Sequence, residues 1–304
     1  MSQVSMPYAA ADGLVRVYPA GTDAAPDAAE AAPRSALVWA HGGGFAGGDL
    51  GMPEADWVAR SLAERGITVV SVDYRHAGHG FRYPVPSDDV LTAWRWTLDH
   101  ADELGIDPAR LAIGGASAGG NLVTGAVLRL LADATTTTTE RIRPLPAGVF
   151  LAYPTLLDAQ PAPDASLRAL LDANPEADRS PSYVHDMYEN YFGAPVVDAP
   201  LDVAPGRAAA SDLAEFPPVL MINSEIDHLR VSGEVFADTL AEARVPLELF
   251  TEPGALHGHL NRPGERAASD SIERIMRWIA RGFIPDAAPT TTPTTLRTTE
   301  GLPS

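Results

Sequence analysis

The stretch Leu111-Ala112-Ile113-Gly114-Gly115-Ala116-Ser117-Ala118-Gly119-Gly120-Asn121 constrains this chain more than any other. Leu111 to Ile113 reads as a buried strand. Beyond Ser117, apolar residues recur at Leu122, Val123, Ala126, Val127, Leu130 and Leu131, the spacing of one helix face. Between strand and helix lies Gly115-Ala116-Ser117-Ala118-Gly119, a G-x-S-x-G pattern. Small residues on both sides let the backbones pass without clashing in a very tight turn, and the helix N-terminus lies beneath the serine. A plain tight turn would share the five residues but would not need a strand before them and a helix after.

The rest of the chain continues the alternation. Residues 3–9 and Leu14 to Tyr18 read as two strands joined at Asp12-Gly13, a hairpin signal. Ala36 to Ala40, Ile67 to Val72, Gly148 to Ala152, Pro218 to Asn223 and Leu247 to Phe250 are short buried strands. Helical spacing separates them around Trp57 and Leu62, Val90 and Trp94, Val231 and Leu240, and Ile272 and Ile279. Thr22 to Pro33 and Thr135 to Thr139 read as loops. This order predicts an α/β layer with a mostly parallel sheet, whose ligands lie at the C-terminal strand ends. His41, Ser117, Asp227 and His257 all fall just after predicted strands, so four candidates converge on one edge. Residues 154–212, rich in Pro, Asp and Ala with aromatics from Tyr183 to Phe192, form an insertion after the sixth strand and are expected to act as a cap. Residues 1–153 and 213–284 then make the catalytic domain. Residues 285–304, mostly Thr, Pro and Ala, are expected to be a disordered tail.

Composition removes several classes of function. The chain has 304 residues, enough for a core without staples, and no cysteine, so disulfides, thiolate metal sites and a cysteine nucleophile are excluded. A net charge of -18 repels nucleic acid and disfavours anionic membranes. No lysine occurs, which biased base composition explains more simply than salt adaptation. No apolar run approaches about 18 residues. Met1 to Pro7 lacks the basic segment and apolar core of a signal peptide, so a cytoplasmic location is expected. No P-loop lysine follows the glycines after His41, and no G-x-G-x-x-G follows the first strand, so no nucleotide cofactor is expected. His76 and His79 lack an evident third ligand, so no metal is expected either.

Serine holds its proton at neutral pH and needs a base, and the base needs an orienting carboxylate. His257, in Gly254-Ala255-Leu256-His257-Gly258, and His259 are the candidates for the base. Glu225 and Asp227, after the preceding strand, are the candidates for the acid. Backbone N–H groups of His41-Gly42-Gly43-Gly44 suit an oxyanion, because glycine lets the main chain come close to a ligand. Ala118 would supply a further donor at the start of its helix. His41 itself is expected to brace that loop. The aromatics Tyr183 to Phe192 fit a cap core and a pocket wall equally well.

His41-Gly42-Gly43-Gly44-Phe45, Asp73-Tyr74-Arg75, Gly115 to Asn121, Asp227-His228-Leu229-Arg230 and Gly254-x-x-His257-Gly258 together resemble the hormone-sensitive-lipase-like carboxylesterases, a bacterial branch of the α/β-hydrolases. The resemblance runs from about residue 36 to 282. It implies the α/β-hydrolase fold and Ser117 as nucleophile, Asp227 as orienting acid and His257 as base, with an oxyanion hole from Gly43, Gly44 and Ala118. It implies hydrolysis of a small-molecule ester, and acyl chains of about two to eight carbons are expected for a modest pocket. Oligomeric state stays open, a homodimer among the options. Ala116 departs from the usual acidic or threonine residue before the nucleophile, and the N-terminal segment that often builds part of the cap is short. Some relatives, such as the plant gibberellin receptors, have lost the histidine and only bind ligand. This chain keeps all three triad residue types.

Overall fold

The computed structural model describes residues 6–21, 34–136, 144–177 and 180–285. The expected loop over Thr22 to Pro33 and the expected tail from residue 286 onward lie outside the described residues, as do residues 3–5 of the first expected strand. A hairpin opens the fold: β1 (Tyr8–Ala10) pairs antiparallel with β2 (Val15–Tyr18), and a short turn around Asp12 joins them. Then follow β3 (Arg34–Ala40), α1 (Pro53–Ala63), β4 (Thr68–Val72), α2 (Val85–Asp99) and the one-turn α3 (Ala101–Leu104). Next come β5 (Ile106–Ala116), α4 (Ala118–Thr136) and β6 (Val149–Ala152). Helices α5 (Ala165–Ala173) and α6 (Pro181–Phe192) occupy the stretch expected to be the cap, and the chain closes with β7 (Val219–Ile226), α7 (Arg230–Glu242), β8 (Leu247–Leu256) and α8 (Arg266–Ala280).

The strands form one sheet in the order β1-β2-β4-β3-β5-β6-β7-β8, parallel from β4 to β8. Alternation within each strand divides the core. In β3, Ala36, Val38 and Ala40 face α2, α4 and α7, while Leu37 and Trp39 face α1 and α8. Strands apolar on both faces have nowhere to sit but the middle of such a layer. β4, Thr-Val-Val-Ser-Val, is buried at every position.

Parallel pairing aligns the C-terminal strand ends. Ala40 pairs with Gly115, Ala116 with Ala152, Ala152 with Ile222, and Ile226 with Leu256. The last of these pairs was not expected. The sequence ends this strand at Phe250, yet β8 runs on through a register shift and reaches Leu256. The cause is local: the Gly254 N–H donates to Glu225 Oε2 at 2.7 Å and holds the irregular stretch against β7. Residues 227 and 257 therefore leave the sheet side by side. Helix α6 starts on Ser180, whose hydroxyl accepts the Tyr183 N–H, and ends on the left-handed Gly193. Among the described residues no helix is long and apolar enough to cross a membrane.

Candidate active site

Between β5 and α4 the chain reverses within a residue, and Ser117 carries the strain at φ +51°. Its N–H donates to the Ala152 carbonyl at 2.9 Å, and its own carbonyl accepts the N–H groups of Asn121 and Thr155, each at 3.2 Å. The glycines of the motif are there for space. A Cβ on Gly115 would stand 2.3 Å from the Gly119 carbonyl oxygen, and one on Gly119 would stand 2.2 Å from that of Ala40. No other residue fits either position without moving backbone.

The hydroxyl so presented meets an imidazole. His257 Nε2 lies 3.0 Å from Ser117 Oγ, and His257 Nδ1 lies 2.7 Å from Asp227 Oδ2. Asp227 is fully buried, and its other oxygen accepts the Leu229 N–H at 2.9 Å. The competing candidates go elsewhere. Glu225 turns to Gly254. His259 is fully buried, with Nδ1 2.9 Å from Ser224 Oγ and Nε2 2.9 Å from Ser271 Oγ, and burial pushes it down to about 4.

The glycine loop follows β3 directly. Gly42 donates its N–H to Glu54 Oε1. Gly43 and Gly44 take positive φ, and a Cβ on Gly43 would fall 2.0 Å from the Gly47 carbonyl oxygen. Both line a cavity of about 250 Å³ together with Ser117 and His257, and Ala118 opens α4 immediately behind the serine. His41 is buried and braces the loop: Nδ1 lies 2.6 Å from the Gly42 carbonyl oxygen, its ring stacks on Tyr74 at 4.5 Å, and burial lowers its pKa. Phe45 anchors the far side by stacking on Tyr191 at 4.2 Å.

The aromatic patch divides by helix face. Tyr183, Val184 and Met187 of α6 line the cavity, whereas Tyr188 and Tyr191 are core, Tyr188 receiving the Asn121 side-chain N–H at 2.9 Å. Trp94 and Trp278 are core residues. His76 meets the His41 ring edge-on at 5.8 Å with His79 tilted beside it, and among the described residues no group of three His, Asp or Glu side chains could hold a metal ion.

Three residues at the site gave no signal in the sequence: Glu54, Tyr153 and Asn261. Glu54 Oε2 accepts from the Tyr153 hydroxyl at 2.5 Å and from Asn261 Nδ2 at 3.1 Å. Tyr153 in turn packs edge-on against His257, with ring centroids 5.1 Å apart.

Comparison with known proteins identifies the fold family and its relatives. A family model described as the alpha/beta hydrolase fold matches residues 37–261. Carboxylesterase NlhH of Mycobacterium tuberculosis is 38% identical over 232 residues, 74% of this chain and 66% of its own length. Ethyl acetate hydrolase of Pseudomonas putida is 34% identical over 234 residues, 73% of this chain and 65% of its own length. The matched stretch is thus just under two thirds of each relative. A solved bacterial heroin esterase superposes with a TM-score of 0.71 at 29% identity, covering 92% of this chain and 84% of that one.

Proposed function

This chain belongs to the α/β-hydrolase fold family, in its hormone-sensitive-lipase-like carboxylesterase branch, and we propose that it is a serine carboxylesterase acting on small acyl esters. One arrangement carries the reading: an unbroken run of contacts from buried Asp227 through His257 to Ser117 Oγ, 2.7 and 3.0 Å long, ending at a cavity. In the proposed reaction Ser117 Oγ attacks the ester carbonyl carbon as His257 Nε2 takes its proton. Asp227 fixes the tautomer and offsets the imidazolium charge. The C–O bond to the alcohol then breaks, and His257 returns the proton to the departing oxygen. Water, deprotonated by the same imidazole, attacks the acyl-serine; collapse frees the carboxylic acid and restores Ser117.

The anionic oxygen of each tetrahedral intermediate would sit among the N–H groups of Gly43, Gly44 and Ala118. Such a donor is worth about 3 kcal/mol in the barrier. The Gly42 N–H is already engaged by Glu54, which leaves the next two peptides of the loop for this purpose. The cavity of about 250 Å³ suits a short acyl group, and the relative named for ethyl acetate supports the same size class. We assign the catalytic machinery to residues 1–153 and 213–284 and the cap to 154–212.

The test is hydrolysis of p-nitrophenyl acetate, butyrate and laurate by the wild type and by Ser117→Ala. Activity on the two short esters that vanishes in the variant is expected. A wild type no faster than the variant ends the esterase reading, and faster turnover of amides, carbamates or lactones of equal size would move the substrate class.

A further inference from the structure

We infer that Glu54 is a positioning residue for the serine chemistry proposed above, and its carboxylate clamps the glycine loop, Tyr153 and the turn after His257 into one rigid unit. Glu54 stands in the first turn of α1, is 1% exposed and borders the same cavity as Ser117. Its side chain accepts the Gly42 N–H on one oxygen, and the Tyr153 hydroxyl and the Asn261 amide on the other. Its backbone is held as well: its N–H donates to Asn261 Oδ1 at 3.1 Å, and its carbonyl accepts the Trp39 indole N–H at 2.9 Å.

Each partner adjoins a reacting group. Gly42 precedes the two glycines assigned to the oxyanion. Tyr153 follows Ala152, whose carbonyl holds the Ser117 N–H, and its ring lies against His257. Asn261 closes the turn that begins at Gly258, directly after His257, by donating its N–H to the Gly258 carbonyl at 2.9 Å. Burial raises the Glu54 pKa above the usual carboxylate range, and the three donors and the nearby His257 offset part of that rise. The fit at Gly42 is close: a Cβ there would stand 2.7 Å from Glu54 Oε1.

The clamp predicts a loss in turnover rather than in binding, because a shift of about 1 Å in reacting groups costs on the order of 100-fold in rate. Glu54→Gln, Glu54→Ala, Tyr153→Phe and Asn261→Ala are compared on p-nitrophenyl butyrate, with active serines counted by a fluorophosphonate probe and folding followed by thermal melting. Expected for Glu54→Gln is a kcat per labelled serine about 10- to 100-fold below wild type, with KM within about threefold. Glu54→Ala is expected to be worse, and Tyr153→Phe combined with Glu54→Gln less than additive. If Glu54→Ala or Glu54→Gln does not fold, Tyr153→Phe and Asn261→Ala decide: kcat near wild type in both overturns the inference. A folded Glu54→Gln with unchanged kcat per labelled serine overturns it too and leaves the esterase reading standing. A wild type that neither labels nor turns over removes the esterase reading itself.

Discussion

The turn after β8 carries two histidines that end in opposite surroundings, although one tyrosine ring touches both. Tyr153 packs edge-on at 5.1 Å from His257 and 4.9 Å from His259. His259 has a serine hydroxyl at each nitrogen and is sealed in the core. His257 has a buried carboxylate at one nitrogen and a cavity-lining hydroxyl at the other. A carboxylate beside Nδ1 stabilises the ring as Nε2 takes a proton; two neutral hydroxyls in a dry site hold the other ring neutral. The end of β7 repeats the contrast. Asp227 turns to the imidazole, and Glu225, two residues earlier, turns to a backbone N–H that shapes β8.

The largest expected effect tests the histidines directly. His257→Ala is expected to lower kcat/KM by about 10⁴- to 10⁶-fold with the melting temperature little changed. His259→Ala is expected to destabilise the fold by about 2–4 kcal/mol, since it leaves a void and takes the imidazole from two buried hydroxyls, of which Ser271 keeps its bond to Glu252, while kcat in the folded fraction falls less than about tenfold. Steady-state kinetics beside urea titration check both. A fully folded His259→Ala as inactive as His257→Ala would break the contrast.

The acids come next. Asp227→Asn is expected to cost about 10⁴-fold in kcat by favouring the wrong tautomer. Glu225→Gln keeps an oxygen for the Gly254 N–H and is expected to cost less than about tenfold. Equal losses in the two, measured on the same ester, would mean that the carboxylates share the work.

Much of this arrangement was legible before any coordinates. The glycines of the elbow and of the loop after β3 are sequence signals because they answer a steric demand, a backbone within about 2 Å of where a Cβ would go. Strand and helix order followed from apolar spacing. The choice between His257 and His259, or between Glu225 and Asp227, did not follow from the residues, because spacing of two along the chain says nothing about which groups a neighbouring strand brings opposite. The family resemblance makes that choice, and its physical basis is the register shift in β8, which apolar spacing does not reveal. Glu54, Tyr153 and Asn261 were invisible for a related reason. Their contacts join positions 99 and 207 residues apart, and a lone acidic residue in the first turn of a helix is ordinary. The short α3 was missed because one turn has no period to read.

A smaller effect concerns acid stability and again separates the two rings. Burial holds His259 at about 4 in the fold, against about 6.5 for the unfolded chain. The unfolded state therefore binds the extra proton first as pH falls. The stability this neutral ring contributes is complete above about pH 6.5 and is lost progressively down to about pH 4, by at most about 3 kcal/mol. Urea midpoints measured from pH 7.5 to 4.5 are expected to fall with this slope in the wild type and less steeply in His259→Asn. Parallel curves for the two proteins would show that the ring titrates freely in the fold.

The smallest effect carries the same contrast to the cap, where neighbouring residues of α6 also meet different surroundings. Tyr188 is buried against Asn121 and Thr155, while Met187 lines the cavity, its sulfur 3.3 Å from where a Cβ on Gly44 would be. Met187 therefore limits the space above the glycine loop, and the tyrosines of the same helix keep that helix in place when it is trimmed. Met187→Ala is expected to raise the octanoate-to-acetate rate ratio about fivefold, the effect of about 1 kcal/mol of restored apolar contact for the longer chain. Tyr188→Phe, which removes two core hydrogen bonds and touches no substrate space, is expected to lower stability by about 1–2 kcal/mol and leave that ratio alone. Should the ratio move with Tyr188→Phe and not with Met187→Ala, the face of α6 that meets substrate has been misassigned, and the acyl group must run along another wall of the cavity.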